Sequence, residues 1–459
     1  MSLLLTLQEK RKQRNPKMNN MNPSKRAANR AATCSKDRER LGEKWQQPRS
    51  PCPCTNFQQL PQAIAMEILL RLSMKTLFNC RCVCKEWLSL ISDPQFIHPH
   101  LSRSRIGILI KKYPHNLKSW KPELTHVEEC AESDLWVDTI NFTDNVPIAE
   151  FGLVNSCNGL VCLSGPHKYD PCYVCNPILG EFIIIPPTQK GRGWCSFVGF
   201  GFSVRTNEYK VLQTNLSDNF CKAEAEIYTI GTGLWRSIGN APMDFPELPF
   251  NSYLQGALHW VSYGGNLSML INTFNYGTEQ FQRLPSPCCF GQRKKQSSES
   301  FKLGVLGGCL LLSVFDDESS KIGMWVMKDY GVQESWTKFL VIVENLFRRT
   351  PFLSLHEPIM FLSNGEILMV HNNWTVVCYN KEKKSFREIR ITGTQSLFSF
   401  DAIAYSPSFV SLYDASRGEE VKSLICRVRT GNKSDKLLAV GSSDCVGSGM
   451  PPYKCTKLN

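Results

Sequence analysis

The sequence predicts an α+β multidomain chain in which a small helical segment is followed by an all-β propeller. Apolar residues recur at helical spacing between residues 60 and 101. From about residue 150, short apolar runs alternate with Gly, Asn, Asp and Pro, which is typical of a β domain. Aromatic residues recur there at a period of roughly 50 residues. The chain of 459 residues, 42% of them hydrophobic, is long enough for two or three domains with a large core.

Residues 1–55 are predicted to be a basic, disordered arm. Residues 1–50 carry 13 Lys or Arg and 4 Asp or Glu, so they account for +9 of the net charge of +12. Charged runs with few apolar residues usually stay solvated. A nuclear-import signal and a weak polyanion contact both stay open for the arm. The nearly neutral remainder predicts no specific nucleic-acid partner.

The location of the protein is predicted from what its apolar segments lack. The first ten residues have no basic residues before their short apolar run and no small-residue cleavage site, which is unlike a secretory signal. No later stretch approaches the length of a membrane span. We therefore expect an intracellular protein of the cytoplasm or nucleus, or both, without a membrane partner, and we expect its 20 cysteines to be reduced.

Residues 56–101 are predicted to form a domain of three small helices. Pro61 suits the first helical position because it lacks only an N–H that would be unpaired there. Ile64, Ile68 and Leu72 follow at helical spacing and define an amphipathic helix.

A second helical run begins at Leu77, includes Trp87, and is predicted to stop at Asp93-Pro94 because the residue before proline disfavours helical geometry. About 40 residues lie near the lower limit for an independent core. The segment has more apolar surface than its helices can bury among themselves, and exposed apolar surface usually marks an interaction site. The surplus therefore predicts a protein partner.

The order of residues in this segment resembles the F-box, the motif by which substrate receptors dock on the Skp-family adaptor of SCF (Skp, cullin, F-box) ubiquitin ligases. The matching residues are Leu60-Pro61, Ile64, Glu67-Ile68-Leu69, Leu72, Leu77, Arg81, Val83-Cys84-Lys85, Trp87, Leu90-Ile91 and Asp93-Pro94. The sequence departs from the usual pattern at Gln62-Ala63 and Leu70, without adding a charge to the docking face.

The resemblance implies a set of adaptor-binding residues, some by direct contact and some by bracing the helices. They are Leu60, Pro61, Ile64, Ile68, Leu69, Leu72, Leu77, Val83, Cys84 and Trp87. The alternative, that Val83, Cys84 and Trp87 are simply core residues of a helical subdomain, stays open.

Residues 102–150 are predicted to connect the two domains, with one strand around residues 105–111 that enters the β domain. The β domain is placed at residues 151–429, and the Gly- and Ser-rich residues 430–459 are expected to be a flexible tail.

The β domain contains a repeat with a kelch-like period. An Asn precedes a Phe by six residues three times, each pair straddling a turn: Asn176 and Phe182, Asn275 and Phe281, Asn380 and Phe386. Looser copies run from Tyr228 to Trp235 and from Trp325 to Trp336. A glycine followed by a hydrophobic strand lies upstream of most copies, so each unit offers the strands of one propeller blade. A β-sandwich is the alternative, but the repeat favours a propeller.

This region resembles the F-box-associated domain of plant F-box/kelch-repeat proteins, and the combined resemblance covers residues 60 to about 413. The matching segments are Ser156-Cys157-Asn158-Gly159-Leu160-Val161-Cys162, Cys175-Asn176-Pro177, Gly199-Phe200-Gly201-Phe202, Asn207-Glu208-Tyr209-Lys210-Val211, Ile227-Tyr228, Gly233 with Trp235-Arg236, Gly256-Ala257-Leu258-His259-Trp260, Trp325-Val326-Met327 and Glu334-Ser335-Trp336-Thr337.

The resemblance implies a non-catalytic substrate receptor. Such a chain docks on the adaptor, reaches the cullin and RING subunits through it, and recruits an unidentified protein substrate for ubiquitination and proteasomal degradation. Arg192, Trp194 and Trp374 are the candidate substrate-binding residues, although packing between blades for the tryptophans and a solvated charge for the arginine stay open.

Metal and cofactor chemistry is not predicted. A metal site could be built from Cys80, Cys82 and Cys84 with His98 and His100. No second pair of cysteines stands beside them at zinc-finger spacing, which favours core packing instead. The chain has no Gly-x-Ser-x-Gly elbow and no phosphate-binding glycine loop. A binding scaffold for protein or carbohydrate without ligase coupling is the alternative function, and a propeller oxidoreductase is a third class.

Overall fold

A group of short helices precedes a ring of antiparallel β-sheets in this computed structural model. The structure describes residues 60–104, 106–112, 123–129, 136–141, 151–165, 167, 169–189, 197–216, 222–243, 252–263, 269–288, 290, 300–316, 321–343, 356–371, 375–389, 400–423, 427–428 and 436–437. The chain divides into two units, Met1–Ala65 and Met66–Asn459. Only residues 60–65 of the first unit are described.

The helical segment has four helices rather than the predicted three. They are α1 Gln62–Leu69, α2 Met74–Cys80, α3 Lys85–Ser92 and α4 Pro94–Arg103. The run from Leu77 is interrupted because Cys84 adopts an extended backbone (φ −157°, ψ 170°) that separates α2 from α3. Asp93 ends α3 as predicted, but its side chain accepts a hydrogen bond from the Gln95 N–H at 2.8 Å and so caps a further helix that begins at Pro94.

The strands form six blades. Blade 1 contains β1 Gly107–Lys112, β2 Glu123–Glu129 and β3 Trp136–Asn141. Blade 2 contains β4 Gly152–Cys157, β5 Leu160–Ser164, β6 Cys172–Asn176 and β7 Glu181–Ile185. Blade 3 contains β8 Phe197–Ser203, β9 Glu208–Leu216, β10 Ala223–Thr229 and β11 Trp235–Ala241. Blade 4 contains β12 Tyr253–Leu254, β13 Ala257–Tyr263, β14 Met269–Asn275 and β15 Gln280–Leu284.

The remaining strands complete the ring. Blade 5 contains β16 Ser300–Leu306, β17 Cys309–Asp316, β18 Lys321–Met327 and β19 Trp336–Val343, with a 3₁₀ turn at Gln333–Ser335 before β19. Blade 6 contains β20 His356–Phe361, β21 Ile367–His371, β22 Thr375–Asn380 and β23 Ser385–Ile389. After them come β24 Phe400–Tyr405, helix α5 Leu412–Ala415, β25 Lys422–Ser423, and the pair β26 Arg427–Val428 and β27 Lys436–Leu437.

The ring is closed by strands from opposite ends of the chain. Strand β24 pairs antiparallel with β1, with Gly107 opposite Tyr405, and becomes the first strand of blade 1. Inner strands of successive blades run parallel: Asn155 of β4 exchanges side-chain hydrogen bonds with the backbone of Phe200 in β8 at 2.8 and 3.0 Å. The predicted propeller is therefore confirmed, and the β-sandwich alternative is wrong.

The propeller begins earlier than predicted. The strand expected around residues 105–111 is present as β1, but residues 102–150 also contain β2 and β3, so this segment forms most of a blade rather than a connection. The repeat could not show this blade because its inner strand β24 comes from the far end of the domain.

The two rims of the ring differ in their connections. Turns between first and second strands, and between third and fourth strands, share one rim because neighbouring strands alternate in direction. This turn rim carries short links such as 158–159, 255–256 and 307–308. The fourth strand of each of blades 2 to 5 ends, and the first strand of the following blade begins, at the opposite rim, which we call the loop rim. The helical segment joins the propeller at the turn rim, since β1 starts there beside the end of β24.

The repeated asparagines end the third strand of their blades and hold the turn that follows. The Asn176 side-chain oxygen accepts the N–H of Ile178 at 2.9 Å, and the Asn275 oxygen accepts the N–H of Gly277 at 2.8 Å. The aromatic six residues later then lies near the start of the fourth strand, as Phe281 does opposite Phe274. The predicted hairpins are confirmed.

The basic arm at residues 1–55 and most of the tail at 430–459 lie outside the described residues, so both expectations stay predictions.

Candidate protein-docking surface

The helical segment separates its apolar residues into a buried set and an exposed set. Leu69, Leu77, Ile91 and Phe96 are almost completely buried, and they hold their helices in place. Each contributes roughly 1.5–3 kcal/mol on full burial of a large apolar side chain. The exposed set consists of apolar side chains that no part of these helices covers.

Four large apolar side chains of this segment remain in contact with solvent. In the unit that begins at Met66, Ile68 is 42% exposed, Phe78 is 37% exposed and Val83 is 53% exposed. Ile64 of the preceding unit is 48% exposed as well. We call Ile68, Phe78 and Val83 the apolar face. Apolar exposure this dense in about twenty residues is typical of an interaction surface.

The predicted adaptor-binding residues differ in their exposure to solvent. Leu69 and Leu77 are buried, as expected of residues that brace the helices, whereas Pro61, Ile64, Ile68 and Val83 are exposed. The half-buried residues of the set are Leu60, Leu72, Cys84 and Trp87. The alternative that Val83 is a core residue does not agree with its exposure, while Cys84 and Trp87 are partly covered.

Phe78 belongs to the apolar face but was not among the predicted docking residues. It falls beside the main apolar stripe of the run that begins at Leu77, and a stripe on a helix marks the side facing the core. The signal that identifies Phe78 is its position off that stripe, because an apolar residue on the solvent side has no core to enter.

Glu67 fastens the first helix to the last from the polar side. Its carboxylate accepts hydrogen bonds at 3.1 Å from Arg103 on α4 and from Arg71, four residues further along the chain. These hydrogen bonds, from Arg103 first and then Arg71, lower the pKa of Glu67. The carboxylate is solvent-exposed, so the pairs contribute orientation more than stability.

The cysteines and histidines of this segment do not converge. Cys82 lies exposed in the turn after α2 rather than on a helix as predicted, while Cys80 is buried. The His100 ring stacks on Phe96 with centroids 5.7 Å apart, and burial lowers its pKa. Among the residues that the structure describes, no three His, Cys, Asp or Glu side chains are grouped to hold a metal ion.

The candidate substrate-binding residues Arg192, Trp194 and Trp374 lie outside the described residues. The strands that flank them are placed, however. Strand β7 ends and β8 begins at the loop rim, and β21 ends and β22 begins there too.

Comparison with known families agrees with this architecture. Residues 109–412 match the F-box associated beta propeller domain family. The chain belongs to that family. Residues 57–99 also match the F-box domain family, so the helical segment with the apolar face is an F-box. Both resemblances seen in the sequence are confirmed.

Plant proteins of the same organisation are similar along most of their length. The F-box protein At3g07870 of Arabidopsis thaliana is 27% identical over 74% of this chain and 90% of its own. The Arabidopsis F-box/kelch-repeat protein At3g23880 is 26% identical over 70% of this chain and 87% of its own. The Arabidopsis F-box protein CPR1 is 26% identical over 76% of this chain and 88% of its own.

Among solved structures, TolB from Acinetobacter baumannii aligns with a TM-score of 0.40 at 11% identity, covering 70% of this chain and 73% of that one. No helix in the described segments is long and apolar enough to cross a membrane.

Proposed function

We propose that this protein is the substrate-receptor subunit of an SCF-type ubiquitin ligase. The observation that carries the proposal is the apolar face of the F-box, whose side chains stay exposed although the same helices bury Leu69, Leu77 and Ile91. A surface that is apolar on one side and held by a buried core on the other is suited to a preformed protein partner. The partner is a Skp-family adaptor, and through it the cullin and RING subunits.

The chain itself contributes recognition and proximity in this proposal. It needs no catalytic residue or cofactor, because a ubiquitin-carrying enzyme recruited by the other subunits supplies the chemistry. Holding the substrate close to that enzyme raises the effective concentration of its lysines. The ubiquitinated protein would then be degraded by the proteasome, in the cytoplasm or the nucleus.

Adaptor binding is tested by replacing one exposed residue of the apolar face. Ile68→Asp places a charge within the proposed interface and should weaken binding of a purified Skp-family adaptor by about 2 kcal/mol or more, roughly thirtyfold. Leu234→Asp is the matched control, because Leu234 is still more exposed, on a turn of blade 3. Equal capture of the adaptor by wild type and Ile68→Asp would contradict the proposal.

The substrate is proposed to bind the loop rim. The F-box joins the propeller at the turn rim, so the loop rim lies opposite the described helices, and the longer stretches of sequence between its strand ends offer more side chains for recognition. Arg192, Trp194 and Trp374 remain the candidate contacts, because aromatic residues and arginine dominate binding energy at protein interfaces.

Proximity labelling in plant cells separates the two ends of the molecule. A chain with Ile68→Asp should still label substrates and should accumulate them, whereas Arg192→Glu with Trp194→Ala should lose a subset of those labelled proteins. The same proteins labelled by both variants would count against the loop rim. Proteins that bind the wild-type chain but are never ubiquitinated would instead favour a binding scaffold that is not coupled to the ligase.

A further inference from the structure

The segment that follows the last propeller strand crosses the turn rim beneath the F-box. Residues 406–423, which we call the C-terminal strap, leave β24, form helix α5 at Leu412–Ala415, and end as β25. Strand β25 pairs with β7 and adds a fifth strand to the outer edge of blade 2. The strap is thus attached to the propeller at both of its ends.

Hydrogen bonds from blade 2 fix the first half of the strap. The Ser408 hydroxyl donates to the Asn158 carbonyl at 2.7 Å. The buried Asn176 amide donates to the carbonyls of Ser408 at 3.0 Å and Val410 at 2.7 Å. Buried hydrogen bonds of this kind are costly to break, because a buried donor or acceptor that loses its protein partner cannot hydrogen-bond to water instead. The strap therefore has one position on this blade.

Blades 2 and 3 fix the second half. The Glu181 carboxylate accepts the Leu412 N–H at 2.8 Å and the Ser411 hydroxyl at 3.1 Å, at the start of α5. The Glu419 carboxylate accepts the Gly231 N–H of blade 3 at 2.6 Å. Leu412 is completely buried in the core shared by these blades. The strap is part of the propeller body.

One residue of the strap, Phe409, contacts the F-box. Phe409 is buried, and its ring lies 4.9 Å from the guanidinium carbon of Arg81 and 6.3 Å from the His100 ring. Arg81 follows α2, and His100 lies on α4 against Phe96. Burial raises the pKa of Glu181, and the nearby charge of Arg81 partly opposes that rise. Phe409 therefore connects two helices of the F-box to the fixed strap.

A second attachment limits how the F-box can rotate. Only residues 104–106 separate α4 from β1, so the covalent link is short. One short link still permits rotation about its backbone bonds. The second contact, between Phe409 and Arg81 at the end of α2, restricts this rotation.

From this arrangement we propose that the C-terminal strap is the joint that holds the F-box in one orientation on the propeller, with Phe409 and Arg81 as its positioning residues. The consequence for ubiquitin transfer rests on the function proposed above: a fixed F-box sets the distance between the adaptor and a substrate on the loop rim. A loose joint would leave both binding events intact and lower the effective concentration of substrate lysines.

The joint is tested by measuring the spread of distances between F-box and propeller in the full chain. Spin labels on non-natural amino acids at Ser89 of α3 and Lys383 of the β22–β23 turn, both exposed, report this spread by electron double resonance. Wild type should give one narrow distance distribution. Phe409→Ala and Arg81→Gln should each broaden it at least twofold, whereas Arg81→Lys keeps a cation for the ring and should stay narrow.

Tyr413→Ala is the control, since this aromatic of the strap is half exposed and should leave the distribution narrow. If Phe409→Ala does not fold, Arg81→Gln decides. A broad distribution in wild type, or an unchanged one in Arg81→Gln, would overturn the joint. Adaptor capture is measured on the same samples: all joint variants should bind like wild type, and failure of wild type to bind contradicts the proposed function while the distance result stands.

Discussion

At the scale of single residues, several recurring residues of the propeller are explained by the geometry of its turns. The asparagines that end third strands accept backbone N–H groups of the following turn, as Asn176 and Asn275 do. Gly159 has a φ of +79° in the turn between β4 and β5, and a Cβ there would lie 2.2 Å from the Ser408 hydroxyl. The asparagines and the positive φ of Gly159 could be predicted because both belong to local turns, whereas the close approach of Ser408 to Gly159 could not.

The glycines of Gly199-Phe200-Gly201-Phe202 have a different reason, which is close approach between blades. A Cβ on Gly201 would lie 2.3 Å from the Tyr276 ring of the next blade and 2.9 Å from the Tyr253 ring. Neither aromatic is close in sequence. The motif could be recognised from the sequence, but its cause could not.

Gly201→Ala should therefore destabilise the propeller. We expect a loss of about 1–3 kcal/mol in the free energy of unfolding, the usual cost of overpacking, because a buried tyrosine would have to move. Urea unfolding followed by tryptophan fluorescence measures it. Gly152→Ala is the control, since its Cβ would make only ordinary contact at 3.7 Å and should change stability by less than about 0.5 kcal/mol. Equal effects of the two substitutions would refute this reason for the glycine.

At the scale of elements, neighbouring blades are joined by a partly buried ion network. Lys210 on β9 of blade 3 donates to Glu279 in the β14–β15 turn of blade 4 at 2.7 Å, with its side chain only 4% exposed. Burial of Glu279 is outweighed by hydrogen bonds from Arg236 and Lys210, which lower its pKa. The pair closes the seam between the two blades on the turn rim.

Lys210→Met should open this seam. Removing one partner of a buried pair typically costs 3–5 kcal/mol, and we expect about 3 kcal/mol here because Arg236 still contacts Glu279. Adding Glu279→Gln should recover part of the loss. The control Arg417→Met removes an arginine that is 55% exposed and pairs with Glu208 at 3.0 Å, so it should cost less than about 1 kcal/mol. The urea midpoints of the four proteins decide, and a harmless Lys210→Met would contradict the account.

At the scale of elements, hairpins could be predicted from the sequence but pairings between distant strands could not. The hairpins were predictable because the turn residues and aromatics of one hairpin are adjacent in the chain. Blade 1 was not, because β1 pairs with β24 from the far end of the domain. The break between α2 and α3 was missed because an extended Cys84 interrupts a run whose apolar spacing continues through it.

At the scale of the whole molecule, two parts of the chain meet at one rim of the propeller. The F-box and the C-terminal strap occupy the turn rim, where Phe409 meets Arg81. The F-box could be recognised from its sequence, and the structure then separated exposed residues such as Ile68 from buried ones such as Leu77. The strap could not be foreseen, because it depends on contacts between residues more than 300 positions apart.

The central claim is that the apolar face of the F-box is the surface that binds the adaptor. Backbone hydrogen–deuterium exchange of the full chain, with and without a purified Skp-family adaptor, maps this contact directly. Exchange should slow in peptides that cover α1 to α3, around Ile68, Phe78 and Val83, and should be unchanged across the six blades. Unchanged exchange in these helices, or slowing confined to the propeller, would contradict the claim.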